Sequence, residues 1–138
     1  MKVKVELQQK VNFKGTSGTG HDIMMDGPED HGGENLGARP METMLIGMGG
    51  CASFDVVHIL RKKRKNVATC VAEIEAQRAD DEPKVFVKIH LHFKVSGDGL
   101  TEKAVAQAVQ LSAEKYCSAS IMLAKTADIT HSFEIVGA

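Results

Sequence analysis

Hydrophobic and polar residues alternate from the first positions of the chain. Val3, Val5 and Leu7 are separated by Lys4 and Glu6, the two-residue period of a strand with one buried face. Val11 and Phe13 resume the alternation, and KGTSGTGHD reads as a turn before a third short strand around Ile23–Met25. The period then stops. Residues 26–38, DGPEDHGGENLGA, are polar and glycine-rich and predict a mobile loop. From Pro40 the apolar spacing becomes three and four: Met41, Met44, Leu45, Met48, Cys51, Ala52, Val56 and Ile59. That stripe predicts a helix to about Lys63, roughly 35 Å long at 1.5 Å per residue. Pro40 suits a first helical position, Glu42 falls in the first turn, and RKKRK at 61–65 places cations where the helix dipole favours them. Gly47, Gly49 and Gly50 each weaken a helix interior by up to about 1 kcal/mol. They predict close approach of another backbone to a central helix packed on all sides.

Alternation then returns. Cys70, Ala72, Ile74 and Ala76 fall on one strand face, ADDEP at 79–83 makes a turn, and Val85, Val87, Ile89, Leu91, Phe93 and Val95 form a second strand. SGDG at 96–99 is a turn, and Thr101 is a suitable N-cap for a helix to about Tyr116 with a stripe of Ala104, Val105, Ala108, Val109 and Leu111. A short helix at about 119–125 and a strand through Ile129, His131, Phe133 and Ile135 complete the chain. The order βββ-α-ββ-α-α-β groups strands and helices in runs, which predicts an α+β fold with a largely antiparallel sheet around a long central helix. A length of 138 residues predicts a single domain over 1–138.

A net charge of −1 provides no global field for nucleic acid or anionic lipid, and the absence of Trp leaves few surfaces for stacking bases. The charged, alternating start is unlike a signal peptide, and no run approaches the eighteen or so apolar residues of a membrane span. No nucleic-acid or membrane partner is expected, and a cytoplasmic location is. GTSGTG lacks the lysine of a phosphate-binding loop. His90 and His92 point the same way from one strand, but no carboxylate or cysteine clearly completes a metal site, so a solvated face is expected there. His131 occupies the apolar phase of its strand, as a hydrogen-bonded core histidine would. Neither a metal nor a bound cofactor is expected.

Three cysteines, an odd number, argue against a secreted disulfide framework. Cys70 reads as a core thiol. Cys117, in AEKYCSAS, stands where Ser118 or Ser120 would cap the next helix, and free amides there would stabilise a thiolate. Cys51, in MGGCASFD, lies too far into its helix for the dipole to act, and packing and nucleophilic roles are evenly balanced. Asp55 and His58 share its helix face, but His58 is roughly 10 Å along the axis, beyond direct proton transfer.

The segments RPMETMLIGMGGCASFDVVHIL and LSAEKYCSASIMLAKTADITHSFEIV, with MDG before the loop and HLHF in the strand, resemble the OsmC/Ohr family and, within it, the small YhfA-like branch. The resemblance spans essentially the whole chain. It implies an intertwined homodimer with two identical sites at the interface, acting on a small organic or inorganic hydroperoxide. Cys51 would be the thiol oxidised to a sulfenic acid, and Cys117 its disulfide partner. An external dithiol reductant, such as a lipoyl group, would reopen the bridge. The family's activating Arg and Glu are matched by Arg39 and Glu42, although Met41, not a glutamate, directly follows Pro40. The alternative it leaves is a non-catalytic member of the fold, a redox sensor or a binder of an apolar ligand.

Overall fold

The N-terminal alternation builds three strands, β1 (Val3–Gln9), β2 (Asn12–Ser17) and β3 (Asp22–Met25), in an antiparallel sheet of order β1-β2-β3. The computed structural model describes residues 1–137, and its contacts divide the chain into two units, Met1–Ile46 and Gly47–Ala138. In the first unit, Val5 lies opposite Gly15, Gly15 opposite Ile23, and Leu7 opposite Phe13. Val3, Val5, Leu7, Phe13 and Ile23 therefore share one sheet face, and all five are exposed in the single chain.

The loop expected to be mobile is organised around a buried carboxylate. Asp26 accepts hydrogen bonds from the backbone amides of Gly27 (2.7 Å), Leu36 (3.1 Å) and Glu34 (3.2 Å). Gly33 closes the same loop by donating to Pro28 O at 2.9 Å, and a Cβ there would lie 2.0 Å from Gly27 O. Side-chain patterns do not register such bonding, because the donors are backbone groups.

Helix α1 (Pro40–Lys62) ends where the cationic run begins. Arg64 takes a left-handed φ of 61°, Lys65 N donates to Leu60 O and Arg64 N to Arg61 O, the paired bonds of a Schellman cap. The buried positions of α1 are Met48, Gly49, Ala52, Val56 and Leu60. In the single chain α1 is covered along this one face. A Cβ at Gly49 would meet the Ile74 side chain, not a backbone, and among the described residues Gly47 and Gly50 face open space. Ile46 and Phe54 are exposed as well. By length and composition α1 is long and apolar enough to cross a bilayer. Its buried residues instead recur at four-residue spacing from Met48, one face of a core helix.

The second unit holds a sheet of order β4-β5-β6, made of β4 (Thr69–Arg78), β5 (Phe86–Ser96) and β6 (Asp128–Ile135). β4 and β5 pair antiparallel, with Ala72 opposite Phe93 and Ile74 opposite Leu91. β5 and β6 pair parallel, with Phe93 opposite Phe133. A parallel pair needs a long crossover, here α2 (Glu102–Leu111), a single π turn (Ser112–Tyr116) and α3 (Ser118–Leu123). Thr101 caps α2 as expected, its hydroxyl accepting from Ala104 N. Leu91, Phe93 and Val95 of β5, Val56 and Leu60 of α1 and Val105 and Ala108 of α2 are all fully buried.

Burial pushes the Asp26 carboxyl up, but the three amides and the Arg39 charge outweigh it and hold the group below its ordinary value of 3.8. A depressed folded value stabilises the fold above the ordinary value, and the contribution is lost as pH falls through the folded one. Asp26→Asn should therefore lower the melting temperature at neutral pH, with the gap from the parent closing in acid. Amide exchange should report lost protection at Gly27, Glu34 and Leu36.

Candidate functional site

Two donors come from one turn of α1, where Cys51 and Asp55 at i and i+4 lie one above the other. The third group comes from the crossover. After Leu111 the helix widens into the π turn, closed by Cys117 N donating to Ser112 O at 2.8 Å. Cys117 then leaves helical geometry, at φ −77° and ψ 98°, and serves as N-cap of α3. Its Sγ accepts from Ser120 Oγ at 3.1 Å and Ser120 N at 3.4 Å. Ser112 reaches the other way, its hydroxyl shared between Ala52 O at 3.2 Å and Asp55 Oδ2 at 3.4 Å. As a result Cys51 Sγ, Cys117 Sγ and a carboxylate oxygen of Asp55 all lie within 4.8 Å of one another.

Both sulfurs are free thiols. A disulfide needs them at about 2.05 Å. Cys117 is wholly buried, whereas Cys51 and Asp55 are half-buried. Burial pushes the Cys117 thiol up, the two Ser120 donors oppose this, and the neighbouring Cys51 adds to the rise. One amide, Ser120 N, lies beside Cys117 as expected, but desolvation outweighs it and the Ser120 hydroxyl together. Cys70 stands outside the cluster, half-buried, with its thiol raised by burial against a weaker opposing hydrogen bond from Ser53.

Arg39 and Glu42 belong to the first unit. Glu42 Oε1 accepts from the backbone amide of Arg39 at 2.9 Å, the reach-back half of a capping box. The Arg39 guanidinium donates to Asn35 Oδ1 at 2.9 Å and Gly37 O at 3.4 Å. His58 is exposed and stacks on Phe54 with ring centroids 5.9 Å apart. His90 contacts the hydroxyls of Thr130 and Ser132 at 2.6 and 2.8 Å, and His92 contacts Ser132 at 2.6 Å, which leaves these rings engaged on the outer sheet face. His131 departs from expectation: among the described residues its buried Nε2 has no hydrogen-bond partner. Burial, and secondarily the His90 charge, lowers its basicity.

Asp55 and Ser112 are the site residues that sequence reasoning did not select. The i, i+4 spacing from Cys51 was visible for Asp55. Nothing in the sequence marked Ser112, whose role depends on a turn type that composition does not distinguish from α-helix.

A family model described as OsmC-like protein matches residues 32–132. Protein YhfA of Escherichia coli (strain K12) is 44% identical over 138 residues, covering 100% of both chains. A crystal structure of a hypothetical protein from Aquifex aeolicus VF5 is 33% identical with a TM-score of 0.86, covering 99% of this chain and 96% of that one. The organic hydroperoxide resistance protein OhrB of Bacillus subtilis shares the fold at 19% identity, with a TM-score of 0.64 and 96% of each chain covered.

With burial as the leading cause, a variant retaining Cys117 alone (Cys51→Ser, Cys70→Ser) should titrate above a free thiol when thiolate absorbance is followed against pH. Adding Ser120→Ala should move the midpoint higher still.

Proposed function

The chain belongs to the OsmC-like family, and on that premise we propose that it reduces hydroperoxides through the thiols of Cys51 and Cys117. The observation that carries this reading is the approach of two free sulfurs to within 4.8 Å, from positions on separate elements. Access sets the order of events. Half-buried Cys51 can meet a peroxide from solvent, and fully buried Cys117 cannot. The Cys51 thiolate attacks the distal peroxide oxygen, the O–O bond breaks, and the alcohol leaves after taking up a proton. Cys117 then attacks the resulting Cys51 sulfenic acid, forming the S–S bond and releasing water before further oxidation. A dithiol reductant, such as a lipoyl group, returns two electrons and two protons. No bound cofactor takes part. Relatives named for organic hydroperoxide resistance support an alkyl peroxide as substrate.

The working form in this reading is a homodimer in the reducing cytoplasm. Its support is the apolar surface left open in one chain: Val3 at 71%, Leu7 at 57%, Ile46 at 66% and Phe54 at 70% exposure. Arg39 and Glu42 act as the activating pair.

One observation favours the second reading, a redox sensor with slow chemistry. Glu42 is spent on the Arg39 backbone amide, and the Arg39 guanidinium is held by Asn35 and Gly37.

Stopped-flow mixing of reduced protein with cumene hydroperoxide should show one equivalent consumed per chain and a Cys51–Cys117 disulfide formed. Cys51→Ser should abolish consumption, and a rate equal to the parent's would disprove the assignment. Cys117→Ser should still react once and accumulate a sulfenic acid that dimedone traps. Arg39→Lys should slow the first step if the protein is an enzyme and leave it unchanged if it is a sensor. Sedimentation equilibrium should give twice the chain mass of 14.9 kDa.

A further inference from the structure

We propose that Cys51, Asp55 and Cys117 form a binding site for a thiophilic divalent metal ion of the zinc class. The donor set is two sulfurs and one carboxylate oxygen, all within 4.8 Å of one another. Around zinc, with Zn–S near 2.3 Å and Zn–O near 2.0–2.2 Å, three tetrahedral donors stand roughly 3.5–3.8 Å apart. The donors therefore stand at most about 1 Å farther apart than zinc would hold them. Neither Cys51 nor Asp55 is fully buried, so a fourth position stays open to water.

A second observation points the same way. Two of the three donors already have polar partners outside the cluster that fix their orientation. Ser112 Oγ donates to Asp55 Oδ2, and Ser120 donates through both Oγ and N to Cys117 Sγ. This is the outer-shell arrangement that orients metal ligands and tunes their basicity. Sulfur donors select zinc-class ions over magnesium or calcium.

The step is balanced: the metal dication displaces one proton from each thiol, and the Asp55 carboxylate binds as it is, with no change of oxidation state. A Cys51–Cys117 disulfide removes two of the three donors, so the metal-bound and oxidised states exclude each other. The inference concerns binding alone and does not rest on the proposed turnover.

The test is anaerobic titration of the reduced full-length chain with Co²⁺, followed by its thiolate charge-transfer band and then by competition with Zn²⁺. One ion per chain is expected, displaced by zinc. Asp55→Asn should weaken binding at least tenfold, Cys51→Ser and Cys117→Ser should remove the charge-transfer band or most of it, and Cys70→Ser should change nothing. Oxidising the parent with diamide, which needs no variant, should release the metal. The proposal is overturned by absence of the band in the reduced parent, by Asp55→Asn binding as tightly as the parent, or by retention of the metal after diamide. Metal binding without peroxide consumption would sink only the hydroperoxide-reductase reading. Peroxide consumption without metal binding would sink only the metal site.

Discussion

The hydrogen bond from Cys117 N to Ser112 O decides where the second thiol lies. In a continuing α-helix Cys117 N would bond to Ala113 O, and the side chain would leave in a direction about 100° different. The π turn takes in one extra residue and so redirects the chain beyond it, a device that recurs at functional sites. Ser112 also fastens the turn to α1 through Ala52 O and Asp55 Oδ2. One buried serine thus holds the turn that presents Cys117 and contacts the α1 segment that presents Cys51. Its hydroxyl is fully desolvated, and an unpaired buried hydroxyl costs about 1–3 kcal/mol.

The two thiols are not equivalent, and the difference comes from packing more than from neighbouring charge. Cys117 has two donors from Ser120, yet burial is the larger influence and keeps its proton on. Such a thiol is poorly placed to meet a small molecule from solvent and well placed to attack an adjacent sulfur once that sulfur has become electrophilic. Cys51 has the converse situation, with partial exposure. Asp55 complicates both, because its carboxylate sits beside each sulfur. An anion there makes sense if it positions Ser112, or if a cation shares the cluster.

The elements were legible in the sequence because period two and period three-to-four report which face is buried. β1, β5 and α1 appear within a residue or two of their expected limits, and the RKKRK run closes α1 as its position suggested. Periodicity reports faces, however, and not partners. It could not show that β6 pairs parallel to β5, since Ile129, His131 and Phe133 would alternate identically in either direction. It could not show that Gly47 and Gly50 have no neighbour within the single chain, because a missing side chain is equally consistent with close packing. The order within the loop at 26–38 is hidden for a related reason: Asp26 is satisfied by backbone amides, which every sequence possesses. At the site, Cys51 and Cys117 stood out by residue type and by the resemblance, whereas Ser112 matters only through a turn that local composition does not encode.

The apolar residues left in the open follow from the same periodicity. Val3, Val5 and Leu7 alternate as a buried face should, yet in the single chain they are exposed, as is Phe54 on α1. Fully covering one such side chain is worth about 1.5–3 kcal/mol, so several together make an uncovered face a costly state in water. Phe54 lies three positions after Cys51 and one before Asp55, on the same turn of helix. Whatever surface covers Phe54 therefore also restricts the approach to the Cys51 sulfur, so the cover that satisfies the apolar side chain would at the same time govern access to the thiol pair.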